Sequence, residues 1–223
     1  MFVVGAFWLA YTPFMLSPFA EDREREKHVR SRTLTYLAIV LTGISLVLAL
    51  FAREVATIVA PHFTHAYSVV GILCFGVTVF GLSSVTMAGL SLVRRTGYFA
   101  AYSALAVLVN VALNFVLIPP LGGAGAAFAT AGAYALLTVL YYRRSEALYP
   151  TPYEPRKTLI VLVAEAVLMP LALLPLGIGA VALNLLGVVV FVAVLVLDGV
   201  LDRPKLMELR SLTRRLSVSA PAR

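Results

Sequence analysis

Apolar side chains run almost without interruption for about twenty positions at a time along this chain, and polar ones gather in the short intervals between. Seven stretches have this form: 1–18, 34–52, 66–92, 97–118, 122–142, 157–175 and 178–199. A helix that crosses ~30 Å of hydrocarbon needs about 20 apolar residues at 1.5 Å of rise each, so every stretch is long enough or nearly so. Strands of a membrane barrel do not fit, because they alternate apolar with polar and span only about 10 residues. In lipid no water is at hand for a backbone N–H or C=O, so a continuous apolar run closes its hydrogen bonds internally as a helix. The pattern predicts an all-α membrane protein, with about seven transmembrane helices over residues 1–200 and a basic, amphipathic tail over 201–223.

Composition narrows this further. Of 223 residues, 61% are hydrophobic and 13% charged, against roughly 45–50% and 25% for soluble domains. A globule of this length still needs a polar skin, which these numbers do not supply. Disorder is excluded by the same figures, and a single cysteine, Cys74, excludes a disulfide scaffold.

The net charge of +7 matters through its placement. All but one of the 18 lysines and arginines lie on alternate connections, after the first, third, fifth and seventh spans; the exception is Arg53. Short loops rich in Lys and Arg stay on the cytoplasmic side. The expected product is a multi-pass protein of the plasma (inner) membrane with a cytoplasmic C-terminus, and with 53–65, 119–121 and 176–177 facing outward. This puts Met1 outside, although it opens on an apolar run with neither a positive leader region nor a small-residue cleavage site. The expectation is therefore a longer transporter of which this is the C-terminal portion.

Two polar segments need separate readings. The mixed-charge run 20–33 reads as a solvated helical extension rather than a binding site. In the tail, Leu206, Leu209, Leu212 and Leu216 form one helical stripe among basic residues. This suits a helix lying on the anionic inner leaflet, with a partner-binding helix as the alternative.

From Asn110 to Thr130 the chain reads Asn-x-x-Leu-Asn-x-x-Leu-Ile-Pro-x-x-Gly-x-x-Gly-Ala-Ala-x-Ala-Thr. This resembles the polysaccharide flippases of the multidrug/oligosaccharidyl-lipid/polysaccharide exporter superfamily. Leu9 to Phe14, the turn Leu92 to Tyr98, and Tyr149-Pro150-Thr151-Pro152-Tyr153-Glu154 agree in order and spacing. The similarity covers roughly residues 1–175. It implies a MATE-like carrier of twelve or fourteen helices in two lobes, with a central cavity that opens to alternate faces. The implied substrate is a polyprenyl-diphosphate-linked oligosaccharide moved from the inner to the outer leaflet. The first span here matches the family's eighth helix, so the N-terminal lobe is an expected missing partner, since one lobe cannot enclose a two-lobe cavity.

Individual residues carry chemistry of their own. Asn110 and Asn114 share a helix face, with Ser103 near the same line. Their carboxamides serve either interhelical hydrogen bonds or sugar contact. Pro119 and Pro120 end the preceding helix and Gly122 to Gly125 permit a tight turn, while Gly122, Ala126, Ala129 and Ala133, and likewise Gly81, Ser84, Ala88 and Ser91, make small faces for close packing. Pro13 kinks the first span, where Trp8, Tyr11 and Thr12 present aromatic and hydroxyl surface to a sugar or anchor the helix at the interface.

Glu165, deep in the sixth span, must be protonated, paired or wet; it serves proton coupling or is a carboxylate tolerated near an inner groove. Asn184 is a tempting partner that hairpin geometry leaves about 7 Å out of register. Arg94 and Arg95 suit a diphosphate, and equally follow from the positive-inside pattern. His62 and His65, without carboxylate or cysteine company, are a weak metal signal. No cofactor, metal or nucleic-acid partner is expected; the partners are lipid-linked oligosaccharide and membrane lipids. The rival functions are a cation-coupled multidrug exporter of the same fold and a polytopic glycan polymerase or ligase. The enzyme reading needs an acid, base or arginine cluster on an outer loop, where only Arg53, Glu54, His62 and His65 stand. A truncated protein without activity of its own is the remaining alternative.

Overall fold

The computed structural model describes residues 4–7, Leu9, 23–59, 67–173 and 178–199. All regular structure among them is helical: α1 (Arg23–Leu50), α2 (Ala52–Val59), α3 (Tyr67–Thr86), α4 (Ala88–Leu92), α5 (Gly97–Leu121), α6 (Gly123–Leu148), α7 (Pro155–Leu168), a 3₁₀ segment (Met169–Leu173) and α8 (Ile178–Leu197). Residues 4–7 are also helical. Four spans, Arg23–Leu50, Val69–Leu92, Gly97–Leu121 and Gly123–Leu148, are long and apolar enough to cross a membrane. Of the seven predicted stretches, the first lies mostly outside the described residues. The sixth forms α7, which at 14 residues is shorter than those four spans, and the seventh forms α8 of 20 residues, with Val181–Leu197 as its apolar stretch.

The helices pack in the order α5, α6, α3, α1, α7, α8, each against the next, with α4 on α6. Three apolar clusters lie along this row. Leu34, Leu37, Ala38 and Leu41 meet Leu82, Val85 and Ala88 between α1 and α3–α4. Leu46 and Leu50 meet Val161, Ala164, Phe191 and Leu195 between α1, α7 and α8. Leu90, Ala106, Leu137 and Tyr141 fill the third, between α4, α5 and α6. At the edges, α5 exposes Leu105, Leu108, Val111, Phe115 and Val116, and α8 exposes Leu185, Leu186, Val189 and Val192. Apolar faces this long are unfavourable against water and suit hydrocarbon.

Local sequence explains the breaks. Pro119 and Pro120 do not end α5, as expected above; the helix runs through both to Leu121. Each proline removes one intrahelical N–H, but the stop comes from Gly122, at φ 57° and ψ −131°, a conformation open to glycine. Between α3 and α4, Ser84 Oγ donates to Gly81 O (2.6 Å) and Thr86 Oγ1 to Ser83 O (3.1 Å). Leu90 N–H then bonds Met87 O at 3.0 Å, three residues back, so the helix tightens at Met87. α7 begins on Pro155, where a missing N–H costs nothing, and passes into the 3₁₀ segment at Met169-Pro170, where the second proline disfavours α geometry before it.

The small-residue face of α6 matches the expected one at Ala129 and Ala133 and departs from it at Gly122 and Ala126. Gly122 is exposed and Ala126 half-buried; the buried line is Gly125, Ala129, Ala133, Leu137, Tyr141 and Ser145, at strict four-residue spacing. In α3 and α4, Gly81, Ser84 and Ala88 are buried and Ser91 is half-buried, and Leu82, Ser83, Val85 and Thr86 between them are buried as well. The helices α3 and α6 come close at Gly76, where a Cβ would lie 3.0 Å from Ala131 Cα.

The mixed-charge run is helical, since α1 starts at Arg23 and enters the apolar stretch without a break. It is not a wholly solvated extension, because Glu26, Arg30 and Ser31 are buried. The beginning of α1, the 93–96 turn and the 149–154 connection meet at one end of the bundle, joined by contacts of Arg30 with Thr151 and of Arg144 with Tyr98. The cations of three basic connections therefore gather at that end, and Arg53 lies at the opposite end of α1. The tail, His62, His65 and Pro13 lie outside the described residues.

Candidate functional site

Trp8, Tyr11 and Thr12 lie outside the described residues, so nothing in the structure places them. Asn110 and Asn114 stand half-buried on α5. Asn114 Nδ2 donates to Asn110 Oδ1 at 3.0 Å, along the helix, and among the described residues no hydrogen bond from either amide crosses to another helix. Asn114 Oδ1 is buried and unbonded. Interhelical bonding is made instead by Ser103, whose Oγ is 3.1 Å from Tyr141 Oη on α6, and by Tyr141 Oη, which donates to Phe99 O at 3.3 Å.

Arg94 and Arg95 form the turn after α4, and both side chains are exposed. Arg95 N–H bonds Leu90 O (2.9 Å) and Arg94 N–H bonds Ser91 O (3.0 Å), the paired bonds of a Schellman motif. Arg94 occupies its left-handed position at φ 56°, which glycine usually fills. Nearby, Arg144 donates to Tyr98 Oη and its guanidinium sits 4.4 Å from the Tyr98 ring centroid.

Glu165 on α7 is fully buried. Its Oε1 accepts a hydrogen bond from Ser45 Oγ on α1. Its Oε2 has no partner among the described residues, and neither has the Oγ1 of Thr42, one helical turn before Ser45 and fully buried. Asn184 is not its partner. Asn184 Nδ2 donates to Leu50 O at 2.7 Å and so satisfies one of the orphan carbonyls at the end of α1.

A second buried polar cluster was missed by the sequence reading. Arg30, 1% exposed, donates to Thr151 Oγ1 and pairs with Glu26 (Nε to Oε1, 3.5 Å). Its guanidinium lies 4.7 Å from the Tyr149 ring centroid and 5.9 Å from that of Tyr153. Tyr149 Oη donates to Glu26 Oε2 (3.0 Å), Ser31 Oγ to Pro152 O (2.5 Å) and Thr151 N–H to Glu146 Oε1 (3.0 Å). Burial pushes the Tyr153 phenol up to about 12, and burial followed by the Glu26 charge raises that of Tyr149. Both rings therefore stay neutral faces for the cation at physiological pH.

The available signal for this cluster was helical phase. The stripe Leu34, Leu37 and Leu41 continues backwards onto Arg30 and Glu26, placing them on the packed side. The cluster ties α1 to the 149–154 connection and leaves Arg30 closed to solvent, which fits a fastening rather than a ligand site.

The described part is thus an all-helical chain with several membrane-length apolar helices, a cationic end, and two buried polar clusters on α1. Compared with protein-family models, curated proteins and solved structures, the chain matches none of them.

Proposed function

We propose that this chain is one lobe of a membrane carrier that moves a polyprenyl-diphosphate-linked oligosaccharide from the inner to the outer leaflet by alternating access. The observation that carries the reading is the Asn110–Thr130 block and its likeness to the flippase pattern, a stretch that forms the α5–α6 hairpin. Arg94 and Arg95 hold the diphosphate by charge-assisted hydrogen bonds from a turn whose backbone is pinned. Asn110, Asn114, Trp8, Tyr11 and Thr12 offer amide, aromatic and hydroxyl contacts to sugar, and Glu165 couples the cycle to an ion.

In this reading the cationic end and the C-terminus face the cytoplasm of a plasma (inner) membrane. The partners are membrane lipids and the carrier's other lobe. The chain does no catalysis and needs no cofactor.

Arg94 supplies the test. A non-glycine residue in left-handed geometry costs about 1–2 kcal/mol, partly offset by the freer unfolded chain of a glycine. Arg94→Gly is expected to keep or slightly raise the melting temperature in detergent. In cells lacking the wild-type gene, it is expected to leave more lipid-linked oligosaccharide on the inner leaflet than the wild-type chain does. Unchanged leaflet distribution on deletion of the gene, or full rescue by Arg94→Gly, contradicts the proposal.

A further inference from the structure

We infer that the Glu165–Ser45–Thr42 cluster is a proton-binding site, in which a proton carried on the carboxyl group closes the seam between α1 and α7. The inference rests on the coupling role proposed for Glu165, and it names the ion and the moving contact.

The first argument is charge. Glu165 lies against the apolar cluster of Leu46, Val161 and Ala164, and among the described residues no Lys, Arg or His side chain pairs with it. An ionised carboxylate in such a place is costly unless paired. From α1 it is faced by Ser45 and Thr42, and from α3 the thiol of Cys74 is within electrostatic reach. On α8, Asn184 is neutral and spends its amide on Leu50. None of these groups is a counter-cation. A proton is the one cation that neutralises the carboxylate without needing room, and side chains here are packed to 0% exposure at Glu165, Thr42 and Val161.

The second argument is the chemistry of the partners. Both are hydroxyls, which donate or accept as required. With the carboxyl neutral, its O–H needs an acceptor, and Thr42 Oγ1, which neighbours Glu165 and is buried and unbonded like Oε2, takes that bond once its side chain turns toward the carboxyl. With the proton gone, both hydroxyls turn to donate to the carboxylate. Backbone N–H groups or a lysine would favour the ionised form alone. A hydroxyl pair lets the proton load and leave without stranding a partner.

The third argument is location. Ser45 and Thr42 belong to α1, whereas Glu165 belongs to α7, so the proton sits on the contact between two helices. A bare carboxylate is tolerated only once water reaches it, so proton release requires this seam to part and proton uptake lets it close. Chemical balance is simple: one O–H bond forms or breaks at Glu165 Oε2, and the proton passes to or from water.

Infrared difference spectroscopy on the chain reconstituted in lipid at neutral pH tests the site. The C=O stretch of a protonated carboxylic acid is expected, shifting in heavy water and missing from Glu165→Gln. Glu165→Asp, which keeps an acid at the site and is expected to move the band rather than remove it, assigns the band should Glu165→Gln misfold. In the cellular leaflet assay, Glu165→Gln is expected to lose the dependence of flipping on an imposed pH gradient.

Lack of the neutral-acid band overturns the proton site. A band present alongside unchanged pH-gradient dependence in Glu165→Gln overturns its coupling role. Failure of the carrier reading shows separately, as a leaflet distribution indifferent to the whole gene with the infrared band intact.

Discussion

Gly125→Ala is expected to open the α5–α6 hairpin and to cost about 3 kcal/mol, the upper part of the range for forced overpacking. A Cβ at this position would collide with the Leu117 carbonyl carbon and oxygen and lie 2.9 Å from Ile118 N. All three atoms are backbone, so no side chain can swing aside. Nor can the turn relax, because Gly122 already holds the chain at φ 57° and its N–H bonds Ile118 O at 2.7 Å. The two helices must splay, which loosens the line of Ala129, Ala133 and Leu137 beneath them. Thermal unfolding in detergent, followed by size-exclusion, measures the loss. Gly97→Ala is the matched control, since a Cβ there meets nothing within 4 Å, and its midpoint is expected to stay unchanged.

Arg30→Met is the second large effect. Methionine keeps much of the length but removes the charge that pairs with Glu26, bonds Thr151 and faces the Tyr149 and Tyr153 rings. Among the described residues, Glu26, itself buried, is left with the Tyr149 hydroxyl as its hydrogen-bond donor. Removing one partner of a buried ion pair costs about 3–5 kcal/mol, mainly through the charge left behind. The double variant Arg30→Met with Glu26→Gln should therefore recover a sizeable part of the loss. Arg30→Lys should recover little, since an ammonium lacks the planar face that lies over two rings. If Arg30→Met melts like wild type, the fastening of α1 to the 149–154 connection is not what holds this end together.

Position along the chain decided what could be read without coordinates. The long apolar runs gave α1, α3, α5 and α6 because lipid-length hydrophobicity is a local property. The cost of Glu165 was equally visible, since a carboxylate inside such a run is out of place wherever it folds. Its partners were not visible: Ser45 precedes it by 120 residues, and hydroxyls on an apolar helix give no sign of what they face. Arg30 was misread for a related reason. Within 20–33 the charges look like any solvated run, and the surface that buries Arg30 is supplied by Tyr149 to Tyr153. The Tyr149–Glu154 segment was noticed as part of a resemblance, without a physical role; the structure gives it one. Asn110 and Asn114 were placed on one face correctly, but helix spacing alone did not say that they would bond to each other. The small face of α6 was legible at Ala129 and Ala133 but not in the first turn, where the tight hairpin at Gly122 and Gly125 turns Gly125 rather than Gly122 inward.

The central claim is a helical membrane bundle whose basic connections share the cytoplasmic side. Two single cysteines in a Cys74→Ser background test it directly: Arg95→Cys at the cationic end and Leu121→Cys at the opposite end, both exposed positions. A membrane-impermeant maleimide added to intact cells is expected to label Leu121→Cys and to reach Arg95→Cys only after permeabilisation. Labelling of both from the same side, or of Arg95→Cys alone in intact cells, contradicts it.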